Sequence, residues 1–284
     1  METTLDKPAV AVRPLSPALG REILNVDLSA PVSDETFQMI LNAWYEGQVI
    51  LLRNQHISEQ QQWNFGLRFG PLSEGHIREL QAGYDGMVYI SNVKKDGKPV
   101  GILPDGEMQF HSDQCYREFP SQGSMLYALK VPSKGAETCF VNCYAAYDAL
   151  PADIKAKLKG RKAVYAYNYN LNPTFRAKEI PPGTPMAIHP AVRIHPVTKR
   201  KSLFLNRLMT ARLEGMPEAE SDELLDMIFD HMEQPQFVYE HPWKVGDVLM
   251  WDNRCVLHSR KDFDPNEERL LRRITLMGDP VVGD

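Results

Sequence analysis

Apolar positions recur at two spacings along the chain, and the change from one spacing to the other divides it. Phe37, Ile40, Leu41 and Trp44 follow Ser33 at helical spacing, and Gly47 supplies a C-terminal stop. The run Val49-Ile50-Leu51-Leu52 then reads as a strand. Ser58 and Gln61 form a capping-box pattern ahead of Trp63, Phe65, Leu67 and Phe69, so a second helix closes this module at Gly70-Pro71, with its aromatic residues in the core. From Met87 onward the runs are short, apolar or alternating: residues 87–90, 125–129, 138–141, 164–167, 202–205, 248–251 and 273–276. Pro and Gly separate them, which predicts a β-sandwich or barrel. Two helices interrupt the strands, one over residues 145–158 with a break near Pro151, the other over residues 221–232. Residues 171–190 carry five prolines and little periodicity, the pattern of a long loop that is either disordered or a lid over a site.

Composition narrows this picture. With 284 residues, 43% of them hydrophobic, the chain can bury a full core as one large β-rich domain. A formal charge of −5 and a pI near 5.9 argue against nucleic acid or an anionic membrane as partner. The basic run Lys199-Arg200-Lys201 reads as a solvated turn. The start, Met1-Glu2-Thr3-Thr4-Leu5-Asp6, has no secretory pattern, and no segment offers some 18 uninterrupted apolar residues. Cys115, Cys139, Cys143 and Cys255 have no Cys-x-x-Cys spacing and make no disulfide framework, so reduced thiols and a cytoplasmic location are expected. No internal repeat or low-complexity tract interrupts the chain.

The candidate chemistry begins at Gln109-Phe110-His111-Ser112-Asp113-Gln114, where a neutral nitrogen donor stands two residues from an anionic oxygen donor. In an extended strand such positions share a face. One metal ion can be gripped there from one side, given a third donor from elsewhere, and a set of two histidines and one carboxylate suits ferrous iron that must still bind oxygen and a co-substrate. A buried His bonded to a nearby Asp is the structural alternative, and the triplet alone does not choose. The third donor is His258, delivered by the strand-like segment that begins at Trp251. Arg269 and Arg273 follow at +11 and +15. A guanidinium holds a carboxylate bidentately, so two arginines near a metal imply acidic small molecules. On a strand Arg269 and Arg273 share a face and Arg272 takes the other, which makes Arg272→Ala an expected control without effect on either ligand. The alternative for Arg273 is a surface pair with Glu267 or Glu268. His56, His189, His195, His231 and His241 lack ligand-like spacing and read as structural or surface.

With Thr138 shortly after Gly135, this constellation resembles the taurine and 2,4-dichlorophenoxyacetate dioxygenases, a family dependent on ferrous iron and 2-oxoglutarate. The resemblance spans almost the whole length, from residues 49–70 to the C-terminal arginines. It implies one dioxygenase domain over residues 1–284, mainly β with flanking helices around a double-stranded β-helix, or jelly-roll, core. It also implies that His111, Asp113 and His258 hold Fe(II), that Arg269 and Thr138 take the distal carboxylate of the co-substrate 2-oxoglutarate, and that O2 is the oxidant. Trp251 matches a family tryptophan beside the co-substrate, or is simply a core aromatic on its strand. Arg273 matches the position that receives the anionic group of the substrate, and His76, Arg78 and Lys98 match further places where the family reaches that group. Residues 251–258 and 270–273 look more like the aryloxyacetate branch, which implies an aryloxyalkanoate or other aromatic carboxylate as the small anionic substrate. Hydroxylation beside an ether oxygen would cleave such a molecule. Taurine or another alkylsulfonate is the alternative, although residues 74–80 depart from the taurine pattern. Outside this class stand a non-catalytic metal- or 2-oxoglutarate-binding protein and a zinc hydrolase, the latter leaving Arg269 and Thr138 without a purpose. A homo-oligomer is compatible with all of these readings.

Overall fold

A computed structural model of the chain describes residues 9–73, 86–103, 106–167 and 179–284. Its largest sheet has seven strands, in the spatial order β1 (Ala11–Pro14), β2 (Arg21–Leu24), β3 (Val49–Leu52), β16 (Val248–Asp252), β8 (Gly123–Lys130), β18 (Leu270–Leu276) and β4 (Val88–Ser91). A second sheet orders β15 (Val238–His241), β9 (Thr138–Asn142), β17 (Val256–Arg260) and β7 (Met108–His111). Smaller sheets pair β11 (Met186–Pro190), β10 (Lys162–Ala166) and β14 (Thr210–Leu213), then β12 (Val192–Ile194) with β13 (Lys201–Leu203), and β5 (Lys94–Lys95) with β6 (Lys98–Pro99). The described residues also form helices α1 (Asp34–Gly47), α2 (Glu59–Leu67), α3 (Cys143–Ala149), α4 (Ala152–Leu158) and α5 (Glu218–Met232). None of them is long and apolar enough to cross a membrane.

The period of two along each strand decides which core it feeds. Ile50, Leu52, Met125, Tyr127, Val248, Met250, Ile274 and Leu276 turn outward from the large sheet and pack with Phe37, Ile40, Trp44 and Phe65 of α1 and α2. Their alternates Val49, Leu51, Leu126, Ala128, Leu249, Trp251 and Leu271 turn inward and join Phe140 and Val256 of the second sheet in one cluster. The two sheets therefore face each other. On the far side of the second sheet, Val141 and Leu257 pack against α3, α5 and β10.

Local signals behave as expected at α2, where Ser58 Oγ accepts from the Gln61 N–H and Gln61 Oε1 accepts from the Ser58 N–H, closing the capping box. The end of α1 differs. The left-handed residue is Gln48 (φ 66°), whose N–H donates to the Trp44 carbonyl at 2.7 Å. Gly47 remains helical, and its lack of a side chain answers packing, since a Cβ there would lie 2.5 Å from Arg21 Cγ. The break at Pro151 does separate α3 from α4. The expected loop over residues 171–190 is a loop only in part: residues 168–178 lie outside the described region, and Met186–Pro190 is an edge strand pairing with β10. Its prolines cluster before Met186 or at the strand's last position, where an edge strand tolerates them.

Candidate active site

The two histidines meet because β17 and β7 are neighbours in register. His258 lies directly opposite His111, and their ring centroids are 4.1 Å apart. Asp113 arrives by a different route from the one its spacing suggests. β7 ends at His111, Ser112 turns to donate its hydroxyl to the Asn253 carbonyl, and Asp113 then sits in a turn with Oδ1 3.8 Å from His258 Nε2. One donor atom from each of the three residues falls within 4.8 Å of the others. His111 Nδ1 lies 2.9 Å from the Gln109 carbonyl, an orientation that leaves Nε2 for a metal.

All three groups are buried. Burial lowers the pKa of both histidines, that of His258 to about 3 with His111 as the next cause, so each presents a neutral lone pair. Burial alone would raise the Asp113 pKa. The fields of His258, Arg273 and His111 and a hydrogen bond from Ser124 outweigh it and hold the carboxyl well below the usual range. Two neutral nitrogens and one fixed anion fit a divalent iron centre with open positions.

The triad opens into a cavity of about 370 Å³ between the two sheets, in the size range of small-molecule sites. Arg269, Arg273, Thr138 and Trp251 all line it. Arg269 is 2% exposed; its backbone N–H donates to Asn92 Oδ1, while its side-chain Nε and Nη1 have no hydrogen-bond partner. Burial, followed by the nearby Arg260, lowers its pKa to about 9, so it remains a cation at neutral pH. A buried guanidinium with two unpartnered nitrogens fits a carboxylate ligand. Thr138 Oγ1 accepts from Trp243 Nε1 at 2.9 Å, leaving its own hydroxyl hydrogen available. Arg273 Nη1 stands 3.6 Å from Asp113 Oδ1. The surface alternative for Arg273 fails on geometry, because Glu268 pairs with Lys130 and Glu267 accepts from Ser133. Trp251 is a buried strand aromatic that also lines the cavity, with its ring 4.6 Å from that of His258.

Other expectations change. Lys98 is exposed on the β5–β6 hairpin, outside the residues that line the cavity. His76 and Arg78 lie outside the described residues. Arg272 does face away from Arg273, but it is buried rather than idle. Its Nε donates to Gln62 Oε1 at 2.6 Å, its Nη2 to the Ile57 carbonyl at 3.1 Å, and its guanidinium lies over the Tyr127 ring. A second group of donors, His195, Asp252 and Cys255, is already engaged. Asp252 takes both Nε and Nη2 of Arg254 and lies 3.0 Å from His195 Nε2, while His195 Nδ1 accepts two backbone N–H groups. Sequence reading missed Ser124 and Asn253, which approach Asp113 Oδ2, and Tyr116, Arg117 and Tyr167, which line the cavity. Asn253 stood inside the run that delivers His258, but nothing in its spacing marks its bond to Asp113.

A sequence model of the Taurine catabolism dioxygenase TauD, TfdA family matches residues 11–275. The chain belongs to this family. As a TauD/TfdA member it is a dioxygenase, and its relatives span its length. It is 36% identical to an alpha-ketoglutarate-dependent 2,4-dichlorophenoxyacetate dioxygenase of Cupriavidus pinatubonensis, covering 96% of this chain and 100% of that one. Identity to an (S)-phenoxypropionate/alpha-ketoglutarate-dioxygenase of Sphingobium herbicidovorans is 32%, over 96% and 97%. Among solved structures, AAD-2 in complex with Mn(II) and N-oxalylglycine superposes with a TM-score of 0.81 at 30% identity, covering 97% of this chain and 100% of that one.

Proposed function

We propose that the chain is a single Fe(II)- and 2-oxoglutarate-dependent dioxygenase domain with a jelly-roll core, acting in the cytoplasm on an aryloxyalkanoate or another aromatic carboxylate. The observation that carries this reading is the meeting, in one cavity, of a His-His-Asp donor set with a buried Arg269 that lacks a hydrogen-bond partner on two nitrogens and a second guanidinium, Arg273, beside the donors. The aryloxyalkanoate relatives favour the substrate class.

His111, Asp113 and His258 would hold the iron. Iron, when bound, supplies the centre at which O2 is reduced while 2-oxoglutarate is converted to succinate and carbon dioxide and a substrate C–H is hydroxylated. Arg269 and the Thr138 hydroxyl bind the distal carboxylate of 2-oxoglutarate and so aim its keto-acid end at the triad. Arg273 takes the carboxylate of the substrate, fixing which carbon lies next to the metal. Val88, Ile90, Leu208 and Met209 line the same cavity, accept an aryl ring and exclude water. Hydroxylation at the carbon bearing an ether oxygen gives a hemiacetal, which breaks down to a phenol and a keto acid.

Succinate release tests the reading. With Fe(II), 2-oxoglutarate and a panel of aryloxyalkanoates, aromatic carboxylates and alkylsulfonates, succinate should appear only in air and most strongly with an aryloxyalkanoate. No oxygen-dependent succinate with any acid overturns the reaction class, and a preference for sulfonates overturns the substrate class.

A further inference from the structure

The two oxygens of Asp113 have different surroundings. Oδ1 faces His258 Nε2 at 3.8 Å and Arg273 Nη1 at 3.6 Å, on the side where the donors converge. Oδ2 is held from behind: the Ser124 hydroxyl donates to it at 2.6 Å, and Asn253 Nδ2 points at it from 3.4 Å. The orientation of that amide is not free. Asn253 Oδ1 accepts from the Trp251 indole N–H at 2.8 Å and faces the Asp113 backbone N–H at 3.4 Å, so the NH2 end must turn to the carboxylate. Ser124 is fully buried in β8, opposite Trp251 of β16 and Thr275 of β18, and cannot follow the carboxylate if it swings.

We infer that Ser124, supported by Asn253, is a positioning residue that confines Asp113 to a single metal-facing oxygen and thereby preserves the coordination position that O2 requires. The inference rests on the iron-site reading above. An iron held by one donor atom from each of His111, Asp113 and His258 would keep room for 2-oxoglutarate and for O2. A carboxylate that turned both oxygens to the metal would take up part of that room. The 2.6 Å charge-assisted bond to Oδ2 opposes the turn, since it would have to break inside a buried site.

The test uses nitric oxide as a stand-in for O2. Anaerobic protein loaded with Fe(II) and 2-oxoglutarate is titrated with nitric oxide, and bound nitric oxide is read by its EPR signal. Ser124→Ala and Ser124→Cys, the latter keeping the volume but weakening the donor, should each bind nitric oxide at least about tenfold more weakly. Their 2-oxoglutarate affinity should stay within about threefold of the wild type, a split that a general loss of packing would not produce. Wild-type nitric oxide affinity in both variants overturns the role of Ser124. Failure of the unmodified protein to bind Fe(II) and 2-oxoglutarate would instead overturn the iron-site reading. Should neither variant fold, an anaerobic crystal structure of the Mn(II)-loaded wild type decides: Asp113 Oδ1 alone on the metal with Oδ2 still bonded to the Ser124 hydroxyl supports the inference, and both oxygens on the metal, or an Oδ2 released from Ser124, overturn it.

Discussion

Arg269 and Arg273 carry the same side chain, and their surroundings separate their uses. Arg269 is enclosed at 2% exposure with side-chain N–H groups that have no acceptor, while the Arg273 side chain keeps 29% of its surface open and stands 3.6 Å from the Asp113 carboxylate. Both molecules enter and leave in each turnover, so the difference is one of fit: a closed guanidinium suits one fixed carboxylate, as in 2-oxoglutarate, and an open one leaves room for acids of differing shape. Arg273→Ala should therefore leave 2-oxoglutarate binding within about twofold while raising the apparent KM for the acid on the order of a hundredfold, about 3 kcal/mol for a lost charge-assisted contact. Equal loss of both affinities in steady-state kinetics would remove Arg273 from the substrate site. Asp113→Ala takes away the anionic donor. We expect it to abolish succinate formation and to weaken Fe(II) binding measured by dialysis, with the melting temperature little changed.

At the scale of elements, the site depends on which strands lie side by side. β7 is an edge strand and β17 its neighbour, so two histidines far apart in the chain become an opposed pair, while β16 and β18 bring Trp251 and Arg273 from the facing sheet. The alternation that turns Arg273 inward sends Arg272 outward into the seam between β18 and α2. There it is a buried strut. Arg272→Ala leaves Gln62 Oε1 and the Ile57 carbonyl short of a donor, and we expect a loss of about 2–4 kcal/mol in urea unfolding with unchanged KM values. An unfolding midpoint equal to the wild type would show that the seam does not depend on it. The sequence placed Arg272 on the strand face opposite Arg273 and said nothing of what covers it; α2, lying across the sheet, makes that face an interior.

Across the whole molecule, burial of titratable groups sets a pH limit. His189, His195 and His241 are buried, and burial is the leading cause that lowers each pKa from 6.5. The folded state thus keeps them neutral at a pH where the unfolded chain already binds protons. Their contribution to stability is complete above about pH 6.5 and is lost as pH falls below it. The urea midpoint of the metal-free protein should drop between about pH 7.5 and about pH 5.5; an unchanged or higher midpoint at the lower pH would contradict the sign. Much of this molecule was legible beforehand: α1, the α2 capping box, β3, the α3–α4 break at Pro151 and the donors His111, Asp113 and His258 follow from local periodicity and from side-chain chemistry that no packing alters. The face of each strand was not, because β3, β9, β16 and β17 are buried on both sides and carry no polar alternation to betray which way they turn. Nor was the shell around the ligands. Ser124, Asn253 and Trp243 are ordinary residues: Asn253 and Trp243 reach Asp113 and Thr138 across more than a hundred positions, and Ser124, though only 11 positions from Asp113, bonds it across a turn and from the other sheet, so none of them leaves a spacing to read. The chain by itself determined which atoms can bind a metal and an acid; the tertiary structure decided which oxygen of Asp113 faces the two histidines and which arginines share its cavity.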